Sequence, residues 1–317
     1  MPNNFQIPDL TKLCGEHFDL RVNEHCHPVG QESRQWVLQQ GLTLVDEYSS
    51  SSSNARALQL ASLQIPLLAS LWYPTCDVTQ LRTATDLLTI LFYKCNHPDV
   101  LNEAAGRTAL DSVVNRVRHA MNEQSSRWAR FQTTLASFHT ARTSGQPQSV
   151  GSLLISKRSS EIFGVAFDLQ EYVEDLQVSD EVIHGQFLSD LKRNALDAVT
   201  WMKEVVEYNV KQAKGESAVN LIAVLMREKE ITLQAAVNQA TANAKECIQS
   251  FVRLSLGDKA TSLTEDAKRY VQGLRDCIVG WAYWVYETEE YFLKNGEEVK
   301  AFGWVFLLPK DGEGEKR

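Results

Sequence analysis

The chain has 317 residues, 44% hydrophobic and 23% charged, enough for one large globular domain or two modest ones. Its formal net charge of −8 excludes a general nucleic-acid binder, because phosphate contacts need a basic face. No apolar run reaches the roughly 20 residues of a membrane-spanning helix and no basic-then-apolar leader opens the chain, so a cytoplasmic protein without a membrane span is expected.

In chain order, an amino-terminal arm carries Arg21-Val22-Asn23-Glu24-His25, then Glu32-Ser33 and Trp36. Polar Ser49 to Ser53 marks a loop. Ala57, Leu60 and Leu63, with Leu67, Leu68 and Leu71, fall on one helical stripe that runs into Trp72-Tyr73-Pro74. Leu81, Thr85, Leu88 and Phe92 form the next stripe and lead into Tyr93-Lys94-Cys95-Asn96-His97-Pro98-Asp99. Val114, Val117, Ala120 and Met121 make a third, Thr143 to Pro147 a loop, and Leu196 to Val210 a fourth stripe. Asn295-Gly296 separates the last long helix from an apolar segment, Phe302 to Leu308, closed by Pro309. No sustained alternation is present, so no sheet is expected. One all-α domain over 1–317, of about ten to twelve helices, follows at typical helix lengths, with Asp311 to Arg317 a frayed tail. The cysteines (Cys14, Cys26, Cys76, Cys95, Cys247, Cys277) form no Cys-x-x-Cys pair and read as free thiols in a reducing compartment.

Several of these segments resemble, in order, those of fungal class I terpene synthases. The Arg21-to-Trp36 arm is similar to that family's Arg-x-Asn-Pro-His…Glu-Ser…Trp pattern, and Leu67 to Pro74 to the sequence before its metal-binding helix. Tyr208 to Gly215, followed by Asn220-Leu221-Ile222, resembles the end of the second metal motif. Gln272-Gly273-Leu274, Gly280, Trp284, Glu287 and Tyr291-Phe292 resemble the carboxy-terminal region. The resemblance implies a single-domain class I terpene synthase helical bundle around a central apolar cavity. It also implies three magnesium ions, which offset the charge of a pyrophosphate leaving group through hard oxygen ligands.

The ligand positions that the resemblance assigns have changed. The first metal aspartate falls on Cys95 and the next carboxylate on Asn96, leaving Asp99. The Asn, Ser and Glu of the second motif fall on Lys203, Glu207 and Lys211, at i, i+4 and i+8 on one helix face. The pyrophosphate-sensing arginine falls among Lys157, Arg158 and Ser159, with Arg158 favoured, and the terminal arginine is Glu290. An ammonium and a dication about 5 Å apart repel by roughly 7 kcal/mol at an effective dielectric of about 20, so the triple-magnesium cluster is not expected.

The expected function is a noncanonical terpene cyclase-like enzyme of secondary metabolism, making a carbocation on a terpenoid substrate without that cluster and with no metal or other cofactor. Asp99 or His97 would transfer protons, and Arg158, Lys203 and Lys211 would hold an anionic group. Phe92, Cys95, Asn96, Phe163, Glu207, Trp284 and Tyr291 would line the pocket, aromatic faces shielding the cation. Other readings stay open: Lys203, Glu207 and Lys211 as a solvated salt-bridged face, zinc at Cys95, His97 and Asp99, a Mg²⁺-dependent sesquiterpene cyclase with eroded motifs acting on farnesyl pyrophosphate, or a catalytically dead terpenoid-binding homologue. His25 and His27 read as structural, and a homodimer is common in the resembling family.

Overall fold

A computed structural model describes residues 3–40, 61–96, 104–140 and 149–310. A short strand, β1 (Asn4–Gln6), precedes α1 (Leu10–Gly15), whose first amides are capped by Asp9. Next come α2 (Cys26–Gln39), α3 (Ile65–Trp72), α4 (Val78–Asn96), α5 (Ala104–Met121) and α6 (Ser126–Thr140). Then α7 (Val150–Ser160), opened by a Ser149/Ser152 capping box, breaks at the extended Glu161 before α8 (Ile162–Val173). A short α9 (Asp180–Ile183) leads to the longest helix, α10 (Gln186–Ala213). The chain continues through α11 (Leu221–Lys229), α12 (Leu233–Ser255), α13 (Asp258–Thr261), α14 (Glu265–Glu287), α15 (Glu289–Phe292) and α16 (Gly296–Phe302), ending in β2 (Trp304–Phe306). Sixteen α-helices are described, more than the ten to twelve expected, because five of them (α1, α9, α13, α15 and α16) are shorter than eight residues.

α10 packs along α12 and α14, α14 lies against α3, and α2 covers α3 and α4. Small residues set two of these approaches. A Cβ on Gly280 of α14 would stand 2.9 Å from the Leu71 side chain, and one on Gly273 would meet Gln170 at 2.5 Å. That Gln170 amide donates to the Trp72 and Gly273 carbonyls, so α3, α8 and α14 meet around it.

The α4 stripe, Leu81, Thr85, Leu88 and Phe92, is buried. On α5 the buried face is Gly106, Ala109, Val113, Val117 and Met121, so the expected stripe is rotated, with Val114 half-buried and Ala120 exposed. The expectation of no sheet is corrected by a two-stranded antiparallel ribbon pairing Phe5 with Val305. Strands of three residues are too short to register as alternation. Asn295-Gly296 opens α16, and a Cβ on Gly296 would lie 1.9 Å from the Tyr286 carbonyl, which explains the glycine. Ala57, Leu60, Ser49 to Ser53, Thr143 to Pro147 and the tail from Asp311 lie outside the described residues. Among the described residues no helix is long and apolar enough to cross a membrane.

The arm that carries the resemblance is a clamp. Arg21 pairs with Asp276 on α14 through two guanidinium nitrogens, and Asn23 donates to the Tyr73 and Cys76 carbonyls. Ser33 Oγ donates at 2.6 Å to the fully buried Asp86 of α4, which also receives Arg82 at 3.0 Å and Arg116 at 2.7 Å. Arg82 reaches on to Glu32, and Arg116 lies over the Trp36 ring. The Glu32-Ser33…Trp36 pattern therefore fastens α2 to α4 and α5.

Candidate functional site: a lysine–glutamate ladder over an aromatic cluster

Four segments converge at one end of the bundle: the end of α4, the α7–α8 break, the last turns of α10, and α15. On α10, Lys203, Glu207 and Lys211 share a face because helical residues four apart stack. Glu207 accepts from Lys203 Nζ at 2.9 Å and from Lys211 Nζ at 3.1 Å. Lys203 also reaches Glu161 at 3.2 Å across the α7–α8 break. Glu161 is shared with Lys157 at 3.4 Å, and Lys157 pairs at 2.6 Å with Glu204, the residue after Lys203 on α10. Glu204 is fully buried, and its second oxygen accepts from the Leu221 amide at the start of α11.

Three lysines and three glutamates thus form one continuous, formally neutral ladder. Its protonation states are fixed by mutual attraction. Burial alone would lower Lys203, but Glu161 and Glu207 outweigh it and hold the ammonium well above its usual range. Burial alone would raise Glu207, yet Lys203 and Lys211 hold it well below the usual carboxylate range. Desolvation also opposes the charge on Lys157, and Glu204 and Glu161 overcome it. For Glu161, desolvation is outweighed by Lys203 and Lys157, so it too sits below its usual value.

Cys95, the exposed residue at the end of α4, faces this ladder. Desolvation beside the ladder pushes its thiol up to about 12; Lys203 opposes the rise, and Glu161 and Glu207 add to it. At neutral pH, with no metal cation beside it, the thiol keeps its proton. Neighbouring Lys94 turns away and donates to the Phe138 and His139 carbonyls on α6.

Beneath the ladder the expected pocket aromatics Phe92, Phe163, Trp284 and Tyr291 are buried and pack with Trp281 in a cluster of edge-on rings. Phe92 and Trp284 are 5.4 Å apart, Trp284 and Tyr291 6.1 Å, Trp281 and Tyr291 6.3 Å, and Phe163 and Trp281 6.1 Å. Trp284 Nε1 donates to the Leu63 and Gln64 carbonyls, which fixes its ring. Burial drives Tyr291 well above its usual pKa, with Lys203 opposing, so the phenol keeps its proton beside the ladder.

The structure brings Phe92, Cys95, Phe163, Lys203, Glu207, Lys211, Trp284 and Tyr291 to this end of the bundle. Arg158 is placed elsewhere. Its guanidinium makes two 2.7 Å bonds to Asp197, and successive helix residues point about 100° apart, so Lys157 meets the ladder in its stead. The Asn96 side chain, His97 and Asp99 lie outside the described residues. Sequence reasoning missed Glu161 and Glu204. Glu204 had a signal, a lone carboxylate among the buried Trp201, Met202, Val205 and Val206.

The described donor set does not fit magnesium. Mg²⁺ takes oxygen ligands in octahedral array, whereas both ammonium groups of the α10 face already contact its one carboxylate. Among the described residues no group of three or more His, Cys, Asp or Glu side chains is arranged to hold a metal.

Residues 74–250, more than half of the chain, match the family described as terpene synthase family 2, C-terminal metal binding. Sesquiterpene synthase Agr1 of Cyclocybe aegerita is 30% identical over 96% of this chain and 93% of its own length. Sesquiterpene synthase 6 of Postia placenta is 30% identical over 96% of each. The fold matches germacradien-4-ol synthase from Streptomyces citricolor with a TM-score of 0.71 at 19% identity, covering 84% of this chain and 96% of that one. Wild-type cucumene synthase matches with a TM-score of 0.68 at 20% identity, covering 86% and 99%. The all-α bundle is therefore a class I terpene synthase fold, and the chain belongs to the terpene synthase family.

Proposed function

We propose that this protein is a terpene cyclase-type enzyme that forms and shields a carbocation on a terpenoid substrate without the three-magnesium cluster. The observation that carries the reading is the Lys203–Glu207–Lys211 ladder on the face assigned to metal ligands. Because the ladder is already neutral, a pyrophosphate would meet no surplus of positive charge there. A substrate with one anionic group, or none, fits better, since it needs to displace at most one glutamate from Lys203 or Lys211. Protonation of an alkene, or of a hydroxyl that then leaves as water, would create the cation, and His97 or Asp99, just beyond α4, are the candidate proton donors. Phe92, Trp281, Trp284 and Tyr291 would stabilise the cation through their ring faces, each contact worth about 0.5–2 kcal/mol. Water, an amine or an internal alkene would capture it, or a proton would leave.

A Mg²⁺-dependent cyclase acting on farnesyl pyrophosphate is the second reading, favoured by the names of the relatives. Turnover assays in EDTA and in Mg²⁺ separate the two. Product formed from an already cyclised terpenoid in EDTA supports the first. Pyrophosphate released from farnesyl pyrophosphate only in Mg²⁺ establishes the second. Terpenoid binding with no product from any substrate would overturn both and leave a binding protein.

A further inference from the structure

A surface groove of about 260 Å³ lies between α15, α16 and the β2 strap. Its apolar lining includes Tyr291, Phe292, Val299, Phe302 and Phe306, with Asn209 and Glu298 among the polar residues. Phe302 and Phe306 are 69% and 68% exposed at its rim, beside exposed Leu293 and Trp304. Large exposed apolar side chains gathered around a concavity mark a binding site more often than a bare surface.

Tyr291 joins this groove to the candidate site. It lines the groove, yet its ring also stands edge-on to Trp281 and Trp284. Tyr291 therefore touches both the groove and the aromatic cluster. At the other approach, the ladder presents charged groups that an apolar chain would have to desolvate in passing. The segment that carries Tyr291 is also strained. Leu293, two residues on, adopts φ 53°, ψ −129°, a conformation leucine rarely takes.

Resting on the reading that the protein acts on terpenoids, we propose that an isoprenoid chain reaches the aromatic cluster through this groove, with the Tyr291 ring as the movable wall. Substrate then enters tail-first from the α16 side, while its polar end remains toward Glu298 until Tyr291 swings.

The test is stopped-flow tryptophan fluorescence with farnesol as probe and the full-length chain, folding being checked by circular dichroism. Phe302→Glu with Phe306→Glu alters only exposed rim residues. The double variant is expected to slow association and dissociation together by about tenfold, leaving Kd unchanged. Tyr291→Ala, which removes the wall, is expected to raise both rates severalfold. Unchanged rates in the double variant would overturn the route, as would a weaker Kd with association unaltered, which would make the groove a terminal site. If wild type itself fails to bind farnesol, the terpenoid reading falls and takes the route with it. Binding with unaltered rates removes the route alone.

Discussion

Replacing Glu207 by glutamine tests whether the ladder is an electrostatic unit. Glu207 is shared by two ammonium groups at 2.9 and 3.1 Å, and its side chain is 19% exposed. At an effective dielectric of about 20, each pair gains roughly 5 kcal/mol of gross attraction, most of it offset by desolvation of the partners. Deleting one partner of a fully buried pair costs about 3–5 kcal/mol, and the residual exposure here reduces that to about 2–3 kcal/mol at pH 7. The pH dependence has a definite sign. Because the folded protein holds Glu207 well below its usual range, its contribution is complete above the unfolded value of about 4.3 and fades as pH falls below it. Urea denaturation of wild type and Glu207→Gln at pH 7 and near pH 3.5 should show the cost shrinking by about 1 kcal/mol at the lower pH. A cost below about 0.5 kcal/mol at pH 7, or an equal cost at both, would refute the coupling, since that is the range of ordinary surface substitutions.

Three further outcomes follow from the same geometry. Asp86→Asn, which leaves Arg82 and Arg116 facing a neutral amide in a fully buried position, should cost about 3–5 kcal/mol by denaturant melt. Arg158→Ala should cost about 2 kcal/mol, because it strands the buried Asp197 carboxylate, yet leave turnover unchanged, because that pair is away from the ladder. Lys157→Met should instead destabilise by about 3 kcal/mol or more and reduce turnover, since it strands the buried Glu204 carboxylate.

Much of the bundle was legible because its helices bury regular stripes, as Leu81, Leu88 and Phe92 do, and because Arg21, Asn23 and Ser33 recur in a recognisable order. The α5 stripe was right at Val117 and Met121 and wrong at Val114 and Ala120, since Val113 and Val114 are adjacent and equally apolar and only packing chooses between them. The α10 face was legible as a spacing, but its partners were not. Glu161 lies 42 residues away in sequence from Lys203, and only the α7–α8 break delivers it. The same break decides between Lys157 and Arg158, neighbours of like charge whose directions depend on how α7 seats on α10. The groove was illegible for a related reason, because its walls come from α10, α15, α16 and β2 and meet only in the folded chain.

The most direct test of the central claim is a titration of Mn²⁺, a stand-in for Mg²⁺, into the protein with inorganic pyrophosphate, following the free ion by electron paramagnetic resonance. Uptake equal to that of the protein-free control is expected, because Lys203 and Lys211 already flank the carboxylate a cation would need. Stoichiometric uptake of several ions per chain would contradict the account and return the protein to metal-dependent ionisation.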